Sequence, residues 1–149
     1  MKNYKSSLPE ISLKLTKGGT LNAKIKSSSD AVEIFRKVWD SDSLLICESV
    51  ICIFLNRANN TIGWFKASQG GLSATIIDNR LILATALKSL ASGIIIAHNH
   101  PSGNSRPSDA DIDVIKKLKT AAEYMDINVV DNIILTDESY YSMVDEKII

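Results

Sequence analysis

The only two histidines of the chain stand two residues apart in His98-Asn99-His100-Pro101-Ser102, where the apolar run Gly93-Ile94-Ile95-Ile96-Ala97 ends. Alternate residues of an extended segment share a face, so both imidazoles would project into one small volume. Two neutral imidazoles converging in this way point to a metal ion. A third ligand is then needed, and Pro107-Ser108-Asp109-Ala110-Asp111 offers a carboxylate where a helix is expected to begin. A catalytic zinc takes three protein ligands and keeps one position for water, and His98, His100 and Asp111 make such a set. Two neutral ligands and one carboxylate leave net positive charge on the ion, which lowers the pKa of bound water towards roughly 7. Glu48 is the candidate to take the released proton. It is the only acid between Ser43 and Ile77, it lies in an apolar run, and burial lets a carboxyl cycle between base and acid. Ser108 adds a hydroxyl that could donate to a developing oxyanion.

A purely structural role stands beside each of these. The histidines could be satisfied imidazoles at a strand end. Asp111 could be a third-position helix carboxylate, worth about 0.3–1 kcal/mol to its own helix. Ser108 reads equally as an N-cap, so two roles compete for one hydroxyl. Glu48 could be a surface carboxylate where two short strands break.

The elements that must carry these residues follow from periodicity. Alternation around Lys17-Gly18-Gly19-Thr20 predicts a β-hairpin over Leu13 to Lys26 with one wet face. Asp30 and Glu33 form a capping box for a helix with Ala31, Ile34, Phe35, Val38 and Trp39 on one side. Leu44 to Leu55 reads as a central strand buried on both faces and interrupted only by Glu48-Ser49. Turns at Asn59-Asn60 and Gln69-Gly70-Gly71 then predict a three-stranded meander through Thr61–Ser68 and Leu72–Ile77. After Asp78-Asn79 a helix should bury Leu83, Ala84, Leu87, Leu90 and Ala91 and stop at Gly93. The strand that follows completes a β-α-β unit, so the sheet should be mixed, with a parallel pair at its centre, where strand ends commonly bind ligands. Ser108 and Asp111 form another capping box, for a helix with Ile112, Ile115, Leu118, Ala122 and Met125 inward. Strands over Ile127–Leu135 and Tyr140–Val144 close the pattern, and the last residues are expected to be loosely held.

Bulk properties bound the function. A chain of 149 residues, 45% hydrophobic and 23% charged, has the size and composition of one globular domain. With 17 basic and 17 acidic residues no overall field draws it to DNA or an anionic membrane. The distribution is uneven: residues 1–29 hold six Lys and one acid, whereas residues 107–149 hold ten acids and four Lys. From Lys14 to Lys26 the lysines alternate with apolar residues and no aromatic is interleaved among them, so a solvated hairpin face explains them better than phosphate contact. Cys47 and Cys52 are the only cysteines, which excludes a CxxC or four-cysteine site and leaves two buried thiols. No apolar run has the length of a membrane span and the first residues lack a signal-peptide core, so a cytoplasmic location is expected.

Glu48, then His98-x-His100, seven residues, Ser108, two residues and Asp111, resembles the JAMM (MPN+) metalloprotease signature. The run His98-Asn99-His100-Pro101-Ser102-Gly103 with Pro107-Ser108 is similar to its RadC-like branch, over roughly Ile25 to Val144. The resemblance implies an α/β fold similar to cytidine deaminases: a single MPN-type domain with a mixed β-sheet flanked by helices. Residues 30–149 would form the RadC-like JAMM/MPN domain, with 1–29 as a hairpin segment of the same domain. It also implies Zn2+ on His98, His100 and Asp111, Glu48 as general base and Ser108 steadying the oxyanion. The sequence departs from the family at Asn79-Arg80-Leu81, where Pro-Arg-Glu is usual, and at Asp131-Asn132, where Asp-His is usual. The helix-hairpin-helix region of full-length RadC-like proteins has no counterpart in the pattern, which bears on partners more than on metal binding.

Two functions of different class follow. One is a zinc-dependent hydrolase cleaving a peptide or isopeptide bond in a peptide or protein substrate. The other is a nucleic-acid-associated RadC-like protein of DNA repair or mobile elements, without need of hydrolysis. A zinc deaminase would require His-x-Glu and Pro-Cys-x-x-Cys, and neither is present. The contiguous His-Asn-His is also unlike the dispersed motif of HNH nucleases. Residue pattern leaves oligomeric state open.

Overall fold

The computed structural model describes residues 22–70 and 76–149. Five strands form one mixed sheet: β1 (Ser49–Leu55), β2 (Thr61–Gln69), β3 (Gly93–Asn99), β4 (Asn128–Leu135) and β5 (Tyr140–Ser142), in the spatial order β2-β1-β3-β4-β5. β3 and β4 run parallel, and the other neighbouring pairs are antiparallel. Helices α1 (Ser28–Val38), α2 (Ser41–Leu44), α3 (Asn79–Lys88) and α4 (Asp109–Glu123) complete the described elements.

Every residue of β1 and β3 is buried, as continuous apolar runs require when both faces of a sheet are covered. Alternation sorts their side chains between two layers. Val50, Cys52, Phe54, Ile94 and Ile96 pack with Ile82 and Ala86 of α3 and with Ile115, Leu118 and Ala122 of α4. Ile51, Ile53, Leu55, Ile95 and Ala97 pack with Ala31, Phe35 and Trp39 of the α1 layer. The result is a three-layer α/β/α arrangement, the α/β class with a mixed, helix-flanked sheet that the pattern predicts.

Several boundaries differ from the sequence reading. The α1 capping box is formed by Ser27 and Asp30, not Asp30 and Glu33: Asp30 sits at the third helical position and its carboxylate accepts from the Ser27 and Lys26 amides at 3.0 and 2.8 Å. β1 begins at Ser49, because Asp40 caps the short α2 and the Ile46 and Cys47 amides turn back to the Ser43 carbonyl. Leu45 and Ile46 are therefore exposed, and Glu48 stands at the mouth of the strand rather than inside it. In α3 the buried pair is Ile82 and Ala86, while Leu87 and Leu90 face solvent. The chain leaves that helix through Leu90, at φ 56°, and Gly93 already belongs to β3. Met125 lies beyond the end of α4 and is exposed.

The parallel pair is made by the α4 crossover between β3 and β4, and not by the segment before α3. Most of the expected Leu72–Ile77 strand and of the Leu13–Lys26 hairpin falls outside the described residues; Ile76 and Ile77 are described and lie in no strand, and Lys24 pairs with Asn60 as an isolated bridge. The C-terminal residues are tied down: the Ile148 amide bonds to the Met143 carbonyl, and Ile148 and Ile149 pack against the core. Cys52 is fully buried, and burial pushes its thiol up to about 12, so it is an inert core residue; Cys47 is half-buried. No helix among the described residues is long and apolar enough to cross a membrane.

Candidate metal centre

The α4 crossover has one geometric consequence for chemistry: the C-terminal end of parallel strand β3 meets the N-terminus of α4. His98 shares the face of Ile94 and Ile96, towards the α3 and α4 layer, and pairs with Val50 of β1. His100 continues the ladder beyond β3, its amide donating to the Leu135 carbonyl at 2.9 Å, so the backbone stays extended and the second imidazole follows the first. The two Nε2 atoms lie 3.0 Å apart. Asp111 approaches from the first turn of α4, with Oδ1 3.6 Å from His98 Nε2 and Oδ2 3.8 Å from His100 Nε2.

These residues fit a zinc ion. One ligand atom from each lies within 4.8 Å of the others. Two nitrogens held at 2.0–2.1 Å from zinc in tetrahedral geometry stand about 3.3 Å apart, and the observed separations fall a few tenths of an ångström either side of that. The donor set, two imidazoles and a carboxylate, is one that zinc accepts. The tautomer of His100 is also set: its Nδ1 donates to the Asn104 carbonyl at 2.7 Å, which turns the Nε2 lone pair towards His98 and Asp111. His98 is nearly fully buried, and its Nδ1 has no hydrogen-bond partner among the described residues.

The capping box removes the competition between roles at Ser108 and Asp111. Ser108 Oγ accepts from the Asp111 amide at 3.1 Å, a bond that uses a lone pair and leaves the hydroxyl proton available for donation. Asp111 Oδ2 accepts from the Ser108 amide at 2.8 Å, and a carboxylate oxygen has a second lone pair. The same two residues that start the helix thus aim the carboxylate at the histidines. Burial raises the Asp111 carboxyl, but the His98 ring, the Ser108 amide and the Ser108 hydroxyl together hold it well below the usual carboxylate range. The carboxylate is charged, as a metal ligand must be.

Glu48 reaches this region by register. It is half-buried, it stands two residues before the Val50 that pairs with His98, and its carbonyl accepts from the Gly70 amide at 2.8 Å. The geometry therefore gathers His98, His100 and Asp111 into one cluster, with Ser108 on the cap of its carboxylate and Glu48 just before the strand that pairs with β3. The Asn104 carbonyl, which orients His100, was invisible in the sequence because a backbone acceptor in a loop carries no residue-type signal.

An α/β/α fold with a His-His-Asp group at the end of a parallel strand defines a protein with a preformed candidate metal-binding centre. The RadC-like JAB domain family matches residues 25–148, and the chain belongs to that family. It is 42% identical over 125 residues to the UPF0758 protein of Flavobacterium johnsoniae, covering 84% of this chain and 53% of that protein. It is 32% identical over 143 residues to the UPF0758 protein of Aquifex aeolicus, covering 96% and 60% respectively. It is 39% identical over 125 residues to the UPF0758 protein of Porphyromonas gingivalis, covering 83% and 55%. The chain thus spans little more than half the length of these curated relatives.

Proposed function

We propose that this chain is a zinc-dependent hydrolase that cleaves a peptide or isopeptide bond, with His98, His100 and Asp111 as the metal ligands. The observation that carries the reading is the meeting of two imidazole Nε2 atoms, 3.0 Å apart, with a carboxylate held charged at 3.6 and 3.8 Å from them. A zinc ion bound there supplies Lewis acidity and acidifies a water towards neutrality.

The side chains divide the remaining work. Glu48 accepts a proton from the attacking water as its oxygen adds to the carbonyl carbon, and passes that proton to the amine nitrogen as the C–N bond breaks. The Ser108 hydroxyl, whose oxygen already accepts from the Asp111 amide, donates its proton in a hydrogen bond to the carbonyl oxygen as charge develops there. The Asn104 carbonyl and the Ser108 amide hold His100 and Asp111 in their orientations before any substrate arrives.

Metal analysis paired with cleavage of a peptide library tests the reading. Purified protein is expected to hold about one zinc per chain, and Glu48→Gln is expected to keep the metal and lose turnover. Protein that binds no zinc with all three ligands intact, or a Glu48→Gln variant with wild-type turnover, overturns it. Salt-sensitive DNA binding without cleavage of any peptide would favour the nucleic-acid reading instead.

A further inference from the structure

We propose that Asn99 is a positioning residue that sets where Glu48 stands relative to His98 and His100; the inference rests on the reading of Glu48 as the base. Asn99 lies between the two histidines but, by strand alternation, faces the opposite, α1 side of the sheet, where it is completely buried. Its Oδ1 accepts from the Ser49 amide at 2.7 Å, and its Nδ2 donates to the Leu44 and Cys47 carbonyls at 2.7 and 2.9 Å. Two carbonyls and one N–H admit only this orientation of the amide.

Those three backbone groups bracket Glu48. Cys47 precedes it, Ser49 follows it, and Leu44 ends the short helix from which the segment departs. The segment itself is irregular, between the last turn of α2 and the first residue of β1. On the β2 side the Gly70 amide holds the Glu48 carbonyl; on the β3 side the Asn99 carboxamide makes the link, from the residue covalently joined to both histidines. A displacement of β3 at His98 is thereby shared by the backbone on either side of Glu48. The residue type is specific: aspartate lacks the two donors, alanine lacks all three groups, and glutamine carries an extra methylene into a site with no exposed surface. The other fully buried asparagine, Asn132, makes no comparable bridge: its Nδ2 meets Met143 Sδ and its Oδ1 has no partner among the described residues.

The test uses Co2+ in place of zinc, with wild type, Glu48→Gln, Asn99→Asp, Asn99→Ala and the Glu48→Gln/Asn99→Asp double variant. All are expected to bind about one Co2+, because no ligand is changed. Glu48→Gln is expected to alter the visible Co2+ spectrum, reporting a carboxylate beside the ion. Asn99→Asp and Asn99→Ala should alter it too, and in the double variant Glu48→Gln should add little to the Asn99→Asp change. A merely structural role for Asn99 would lower thermal stability and leave that spectrum at its wild-type form, which overturns the inference while the base reading stands. A wild-type spectrum in Glu48→Gln overturns the base reading, and this inference with it. One measurement needs no variant: hydrogen exchange in wild type should show the Ser49 amide exchanging at least about tenfold more slowly than the same amide in an unfolded peptide. Equal exchange would mean that the tie to Asn99 is absent.

Discussion

Asp111 and Asp131 occupy two regions that look alike on paper and behave in opposite ways. Asp131 lies in β4 on the α1 side, 5% exposed, and accepts from Ser142 Oγ at 2.6 Å and from the Asn132 and Val144 amides at 2.7 and 3.1 Å. The bonds from Ser142 and Val144 stitch β4 to β5 and to the chain beyond it. Burial nevertheless raises the Asp131 carboxyl above its ordinary value, and the nearby Asp145 charge adds to the rise. Burial works against the Asp111 charge as well, but there the His98 ring and the Ser108 amide and hydroxyl outweigh it and keep the carboxyl charged. Hydrogen bonds alone secure structure around a carboxylate. A fixed charge for chemistry needs shallower burial and an electropositive neighbourhood.

The strongest way to break this comparison is to delete each carboxylate in turn. Asp111→Ala is expected to weaken zinc binding by at least ~100-fold, since a ligand is lost and effects through outer-shell partners alone reach 10–100-fold, while metal-free protein loses about 1 kcal/mol with the capping box. Asp131→Ala should do the reverse: zinc stoichiometry unchanged, and stability lowered by about 2–3 kcal/mol because buried donors lose their acceptor. Zinc titration and denaturant unfolding of the two variants check both halves, and equal effects on either quantity would erase the distinction.

A smaller effect sharpens it at the serines. Ser108→Ala removes the N-cap of α4 and should cost about 1 kcal/mol, and because the same cap aims Asp111, zinc affinity should fall with it. Ser142→Ala, which removes the donor to Asp131 and the acceptor for the Asp145 amide, should cost a similar amount and leave zinc affinity untouched.

The smallest effect is in the pH dependence of metal-free protein. Asp111, lowered on folding, contributes stability that is present above its unfolded value near about 4 and lost as pH falls towards its folded value. Asp131, raised on folding, carries a cost above its folded value that is relieved as pH falls through it. From about pH 7 to about pH 3, the advantage of wild type over Asp111→Asn should shrink, and its standing against Asp131→Asn should improve. Denaturant midpoints across that range give the two slopes, and slopes of the same sign would contradict the comparison.

Much of the centre was legible before any coordinates. His98 and His100 stand two apart at the end of a five-residue apolar run, so any extended backbone brings them to one face. Ser108 and Asp111 carry a capping box whose geometry depends on four consecutive positions. Buried strands, the mixed sheet and the α4 helix follow from patterns of similar range. The failures share a cause. α3 buries Ile82 and Ala86 rather than Ala84 and Leu87 because the neighbouring layer selects which apolar stripe is covered, and a helix rich in Leu and Ala offers more than one. The parallel pair was misplaced because which strands become neighbours is decided by the whole sheet.

Local spacing therefore determined the ligand types and their convergence, through backbone periodicities that act over a few residues. Tertiary structure decided the rest: that α4 returns beside β3, that Glu48 sits at the mouth of the strand that pairs with β3, and that Asn99 joins its segment to the histidine strand. The last two relations link residues about fifty positions apart, where no periodicity survives and only the packing of the sheet sets the distance.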